Sequence, residues 1–368
     1  LRGENLEMQV RQTAVNTGIP LGPNAHSGLT TCVSINTAVA MRVGSRRVTY
    51  QPDLNGKPNP EGLDLRIDGK LVKLNANGIS LGADGRIMPT SAPGGIQVEA
   101  IGGTTIVITP GFWDHYQVSF LNITGHQVRE TEGLMGLIAP GNWLPAMPDG
   151  SWLGPRPEGP QQRYNVLYKK FGEAWRITDK SSLFDYAAGT TTATFTLADW
   201  PGGIALIECK PPARPQPLPG KEPLKPISRE EAEKICAGIK DDTLRKLAVQ
   251  DVMVTGDPVF ARTAQHSAVI RQNTRPAEPV LEFPEDNQKD VGPSASFTWN
   301  SSKDAESDAL SYRLYAWPVE KIADDNQAIA LGRSNETKLS RSIPQLEPGR
   351  SYYWKVIVED GRGGVSES

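Results

Sequence analysis

A chain of 368 residues with 36 glycines, 30 prolines and a formal net charge of -3 has room for two or three domains with ordinary cores. That composition favours short strands joined by turns over long helices. The near-neutral charge leaves no footprint for nucleic acid or an anionic membrane, and no apolar run reaches the roughly 18 to 20 residues that span a bilayer.

The first hundred residues read as a meander of antiparallel strands. Met8 and Val10 alternate within residues 7–12, residues 35–43 are β-branched and small, and Leu63, Leu65 and Ile67 recur with period two. Asp68-Gly69 then predicts a tight hairpin, and Asp84-Gly85 and Gly102-Gly103 repeat the device. Tyr116, Val118 and Phe120 supply another alternating strand, so the pattern is that of a sandwich with one face of each sheet buried. Leu1-Arg2-Gly3 opens without a signal-peptide pattern, as a mature or trimmed chain would.

Residues 131–201 are aromatic and glycine-punctuated. Trp143, Trp152, Phe171, Trp175, Phe184 and Tyr186 are candidates for a core between packed sheets. Gly133-Leu134-Met135-Gly136, Pro148-Asp149-Gly150 and Phe171-Gly172-x-x-Trp175-Arg176 together resemble the second half of a von Willebrand factor type D domain of bacterial type. The resemblance covers about residues 1–265 and implies a module rather than a reaction. It also implies opening strands, with a G-D-P-H motif, that this chain does not carry; Gly256-Asp257-Pro258 lies far downstream and reads as a turn. An open sheet edge near residues 4–12, filled by another chain or domain of the same protein, is therefore expected, and with it assembly into an oligomer or filament.

The sequence from Cys209 to Gly220 is a proline-rich, semi-rigid spacer. Ser228, with Glu231 three residues on, starts a helix through a capping box, followed by an apolar stripe of Ala232, Ile235, Ile239, Leu244 and Leu247. Cys209 and Cys236 bracket the spacer; a disulfide and two reduced thiols are both open, and the odd third cysteine, Cys32, leaves the compartment undecided. Beyond residue 279, Phe297-Thr298-Trp299, the run at residues 310–315, and the alternation of Tyr352, Trp354, Val356 and Val358 resemble a fibronectin type III domain. Leu346 and Tyr352 stand at the spacing of a tyrosine corner, with Trp299 as a core residue.

Chemistry is sparse. His26, His115, His126 and His266 form no Ser/His/Asp or zinc spacing, and Trp113-Asp114-His115-Tyr116 reads as a strand with a wet edge. Calcium is the one cofactor the type D resemblance raises. Here the loop after Gly136 offers only Asn142 and Asp149, too few oxygens for a cage, while Leu137, Ala139 and Trp143 stand where ligands would be needed. Trp143, burying the loop against Trp152 or Trp175, is expected to take over the role of the ion by packing, and Trp143, Trp175 and Phe184 are expected in the core. A second acidic loop, Asp304, Glu306 and Asp308, is expected to be a solvated turn.

The sequence thus predicts a mostly β chain in three parts. Residues 1–208 are a type D-like antiparallel β-sandwich, 209–279 the spacer and helical unit, and 280–368 an immunoglobulin-like, fibronectin-type sandwich with Trp299, Tyr352 and Trp354 in its core. The two sandwiches are expected to be independent. The expected role is non-catalytic: a structural or adhesive segment of a larger secreted or surface protein. An accessory region of a secreted carbohydrate-active or lytic enzyme is the alternative.

Overall fold

The structure is a computed structural model. It describes residues 1–3, 5–16, 32–55, 62–90, 92–100, 104–113, 116–124, 131–196, 224–292, 296–321, 329–340, 346–360 and 364–368. The glycine pair at residues 102–103 and the proline spacer lie outside them. Among the described residues the chain is rich in strands, and its sheets are antiparallel.

β1 (Leu6–Asn16), β2 (Cys32–Val43), β3 (Arg46–Gln51), β4 (Asp64–Ile67) and β5 (Lys70–Leu71) form one sheet in chain order. β6 (Ile79–Ser80), β7 (Gly85–Pro89), β8 (Ile96–Ala100), β9 (Thr105–Trp113) and β10 (Tyr116–Thr124) form the second, again in chain order. The turn between β4 and β5 has Asp68 at φ 50 and Gly69 at φ 80. Two successive positive φ angles are what a two-residue hairpin matched to strand twist requires, and Asp-Gly supplies them. Period-two alternation makes the core: Met8, Met41 and Val48 of the first sheet share one buried cluster with Ile87, Val98 and Ile106 of the second. Burying each such side chain contributes about 1.5 to 3 kcal/mol.

The aromatic residues of the 131–196 segment stand outside this inter-sheet core. Phe184 instead packs on Ala38 and Ala40, which occupy the opposite face of β2 from Val39 and Met41. Small residues on that face let residues 181–186 lie flat across the first sheet. Two buried glutamines hold them there: Gln9 donates to the Ser181 carbonyl at 2.7 Å and accepts from the Leu183 N–H at 2.8 Å. Gln51 treats Asp185 the same way, at 3.0 and 3.2 Å, and Arg47 adds an ion pair to Asp185 at 2.6 Å. Earlier in the segment, α1 (Pro160–Tyr164) runs on as a π-helix over Asn165–Gly172, burying Tyr164 and Phe171.

Three helices pack on one another beside the second sheet, and the last of them docks on it. α2 (Arg229–Ile235) begins with the expected capping box: Ser228 Oγ accepts from the Glu231 N–H, and Glu231 accepts from the Ser228 N–H at 3.0 Å. α3 (Asp242–Thr255) and α4 (Val259–Gln272) are joined by Gly256-Asp257-Pro258. Gly256 ends α3 in the left-handed region, Asp257 accepts from the Val259 N–H at 2.8 Å, and Pro258 stands immediately before α4, where its missing N–H has no partner to lose. The predicted single apolar stripe is corrected here: Ala232 and Ile239 are buried, but Ile235 and Leu247 face solvent. α4 docks on β10 through Phe260, edge-on to Phe120 at 4.7 Å, and through Ser267, which donates to Asn122 at 2.6 Å.

The C-terminal part has two sheets. β11 (Leu281–Phe283), β12 (Ser296–Trp299) and β15 (Lys338–Ser340) form one. β14 (Ile329–Ser334), β13 (Ser311–Pro318), β16 (Tyr352–Glu359) and β17 (Val365–Glu367) form the other, in that order. Between them Trp299 is buried with Leu314, Leu331 and Val356, and Tyr352 and Trp354 are half-buried against the same cluster. The Tyr352 hydroxyl accepts from the Glu347 N–H at 2.8 Å, tying the strand back to its preceding turn.

The two sandwiches touch. Glu99 of β8 is buried, takes hydrogen bonds from Arg86 at 2.8 Å and Gln97 at 2.9 Å, and lies 3.9 Å from Arg313 of β13. Arg313 is itself buried and ion-paired to Glu359 of β16. Beside it Tyr315, Trp317 and Ile357 form a buried apolar patch on the same sheet. The two sandwiches, expected to be independent, thus meet through the Glu99–Arg313 pair.

Candidate functional site: the edge of the first sheet

Each of the two N-terminal sheets has one very short edge strand, β5 or β6, of two residues. Each also has one long edge strand: β1, of 11 residues, and β10, of nine. Short edges give little backbone for a foreign strand to pair with; long ones give a row of free N–H and C=O groups.

The first part of the β1 edge is occupied by the chain itself. Residues 1–3 fold back antiparallel: the Met8 N–H donates to the Leu1 carbonyl at 2.7 Å, and the Gly3 N–H to the Leu6 carbonyl at 2.7 Å. On the far side Arg2 and Glu132 exchange two backbone hydrogen bonds, at 2.9 and 2.8 Å, and their side chains pair at 3.4 Å. Arg2 also lies over the Trp175 ring, 5.6 Å from its centroid, while Trp175 Nε1 donates to the Ala146 carbonyl at 3.2 Å. Gly133 sits at φ +104, where a Cβ would come within 3.3 Å of the Leu1 nitrogen. The glycine of the Gly133-Leu134-Met135-Gly136 motif thus makes room for the N-terminal strand. The same turn throws Leu134, Met135, Leu137 and Ile138 outward, each half or more exposed. Four adjoining exposed apolar side chains are unusual on a free surface.

Beyond Met8 the edge is bare: among the described residues no backbone group pairs with the outer side of β1 over residues 10–14. Val10 of β1 and Leu121 and Ile123 of β10 are only partly buried there. On the outer face Arg11 lies against aromatic rings, 3.6 Å from the Phe195 centroid and 4.7 Å from that of Phe184. Burial pushes its guanidinium down to about 10, and its Nη2 has no hydrogen-bond partner among the described atoms.

The metal-ligating candidates are not brought together. Asn142 spends its side chain on its own loop, accepting from the Gly154 N–H at 3.2 Å and donating to the Pro140 carbonyl at 3.3 Å. Asp149 accepts from the Ser151 hydroxyl at 2.6 Å and N–H at 3.0 Å, bonds that hold its carboxyl below the usual range. Trp143 is half-buried and Trp152 exposed, so neither forms the deep anchor expected of the loop. Asp304 accepts from the Glu306 and Asp308 N–H groups at 3.0 and 2.8 Å, and Glu306 in turn accepts from the Thr274 hydroxyl at 2.9 Å. That loop braces the exit of α4 against the C-terminal sandwich. Among the described residues no group of three or more His, Cys, Asp or Glu could hold a metal ion.

Cys236 is a buried free thiol, and Cys209 lies outside the described residues. His266 is exposed on α4; the other three histidines also lie outside them. Among the described residues no helix is long and apolar enough to cross a membrane. Compared with protein-family models and with curated proteins, the chain matches none.

Proposed function

We propose that this chain is a non-catalytic, structural or adhesive segment of a larger secreted or surface protein, and that it makes protein–protein contacts through the edge of its first sheet. The observation that carries this reading is the long β1 edge, partly filled by residues 1–3 and flanked by the exposed run at residues 134–138. Two resemblances support it. Gly133-Leu134-Met135-Gly136 and Phe171-Gly172-x-x-Trp175-Arg176 are similar to a bacterial-type von Willebrand type D module. The seven strands described in the C-terminal residues, split three and four with Tyr352 bonded to its preceding turn, are similar to a fibronectin type III module. Both are modules of multidomain assemblies.

The test is to present the purified chain with polysaccharides, peptides and esters, reading both turnover and retention. No turnover and no retention on insoluble polysaccharide is the expected result. Turnover of any substrate would overturn the non-catalytic reading. Retention on polysaccharide would transfer the chain to the accessory-region alternative.

A further inference from the structure

Resting on that reading, we propose that the exit of α4 is a latch. It fastens the helix to the C-terminal sandwich, so that the two sandwiches keep one orientation and the chain serves as a stiff spacer. Units joined by a simple connection move relative to one another unless something holds them. Here no free residue separates helix from sandwich. α4 ends at Gln272, and the side-chain N–H of Asn273 already donates to Asp360 at 2.6 Å. Thr274 follows, giving its hydroxyl to Glu306 at 2.9 Å. Ser366 of β17 then donates to the Pro276 carbonyl at 2.5 Å, and the Ala277 N–H donates to the Lys303 carbonyl at 2.7 Å. Residues 273–277 are thus bound from several sides by the sandwich they lead into.

Asp360 is the centre of the latch. Its carboxylate is buried, accepting from the Gly364 N–H at 2.9 Å on one oxygen and from Asn273 on the other. A carboxylate acceptor makes each such bond shorter and stronger than a neutral one would. Gly364 belongs to the same contact, because a Cβ there would collide with the Asp360 carboxylate and crowd the Asn273 amide. Along its length α4 is fixed to the second sheet by Phe260 on Phe120 and by Ser267 on Asn122, with Ala261 and Ala268 packed among the other helices. A helix docked on one sandwich and latched to the other passes orientation between them. The Glu99–Arg313 pair joins the sandwiches at a second place, and closing that loop removes the swing a single attachment would leave.

The test is the distance between the sandwiches, read on the full chain by double electron–electron resonance. Spin labels carried on p-acetylphenylalanine in place of Asn77 and Glu336, exposed residues of the two sandwiches, leave the native cysteines alone. One narrow distance distribution is expected. Asn273→Ala should broaden it about twofold, since the default of mobile units returns, while circular dichroism stays that of the parent chain. Inserting Gly-Ser-Gly between Gln272 and Asn273 supplies the width of a released junction, and the Asn273→Ala width should move toward it. Should Asn273→Ala fail to fold, Thr274→Ala decides by the same width, because Thr274 is an exposed part of the latch. A broad distribution in the parent chain, or an unchanged width in the folded variant, overturns the proposal. Those outcomes leave the non-catalytic reading standing, whereas substrate turnover would overturn that reading and leave the latch untouched.

Discussion

At the scale of residues, Tyr50 and Gly133 carry consequences out of proportion to their size. Tyr50 is buried in the inter-sheet core and its hydroxyl donates to the Gly94 carbonyl; burial pushes the phenol up to about 12. In the unfolded chain a phenol ionises near 10, so between about 10 and 12 the unfolded state sheds a proton that the folded state keeps. The stability is fully present below 10 and falls as pH rises, by about 2 to 3 kcal/mol in all. Absorbance at 295 nm should show one tyrosine ionising only as the sandwich unfolds; titration of every tyrosine near 10 in the folded protein would contradict it. Gly133→Ala forces a Cβ into left-handed backbone against Leu1. About 1 to 3 kcal/mol of strain is the expected cost, relieved by release of residues 1–3, so amide exchange at Met8 should accelerate well before the core exchanges. Tyr352→Phe removes the acceptor of the Glu347 N–H and should lower stability by about 1 kcal/mol, read as a shift of the urea midpoint at constant slope.

At the scale of elements, the parts legible in the sequence are those whose cause is local. The Asp68-Gly69 hairpin, the Ser228–Glu231 capping box and the Tyr352 corner each depend on residues within six positions of one another. α4 was illegible because its buried face is built on Ala261 and Ala268, too small to raise an amphipathic signal. The aromatic segment was assigned to the wrong side of the first sheet, since its placement depends on Gln9 and Gln51, more than 130 positions away. A glutamine in a strand reads as solvent-facing until something folds over it. The edge at β1 was legible only through the type D resemblance and its missing opening strands, not through any local pattern.

The strap at residues 181–186 gives a test at this scale. Gln9→Ala and Gln51→Ala should each cost about 1 to 3 kcal/mol, because each leaves an N–H and a carbonyl of the strap without partners. Since both act on one strap, the double variant should lose less than the sum of the two singles. Limited proteolysis near Gly189 should report the detached strap.

At the scale of the whole molecule, the decisive contact is between sandwiches rather than within them. Glu99 and Arg313 sit on different units, both are buried, and Arg86 and Glu359 complete the group. Two arginines and two glutamates balance in charge, so the group tolerates burial as a set and not in parts. A covalent tether through the spacer would permit the sandwiches to move apart; separating them here parts Glu99 from Arg313 and opens both to water. The chain should therefore unfold in one calorimetric transition despite having two separate inter-sheet cores. Arg313→Ala leaves Glu99 and Glu359 buried without their shared cation, and about 3 to 5 kcal/mol of destabilisation follows. Part of that cost is avoided by letting the sandwiches separate, which fixes how the variant should melt. The single transition should split in two, with the C-terminal one lower. A parent chain that already melts in two steps, with Arg313→Ala moving only the C-terminal step, would mean that the interface is too weak to couple the units.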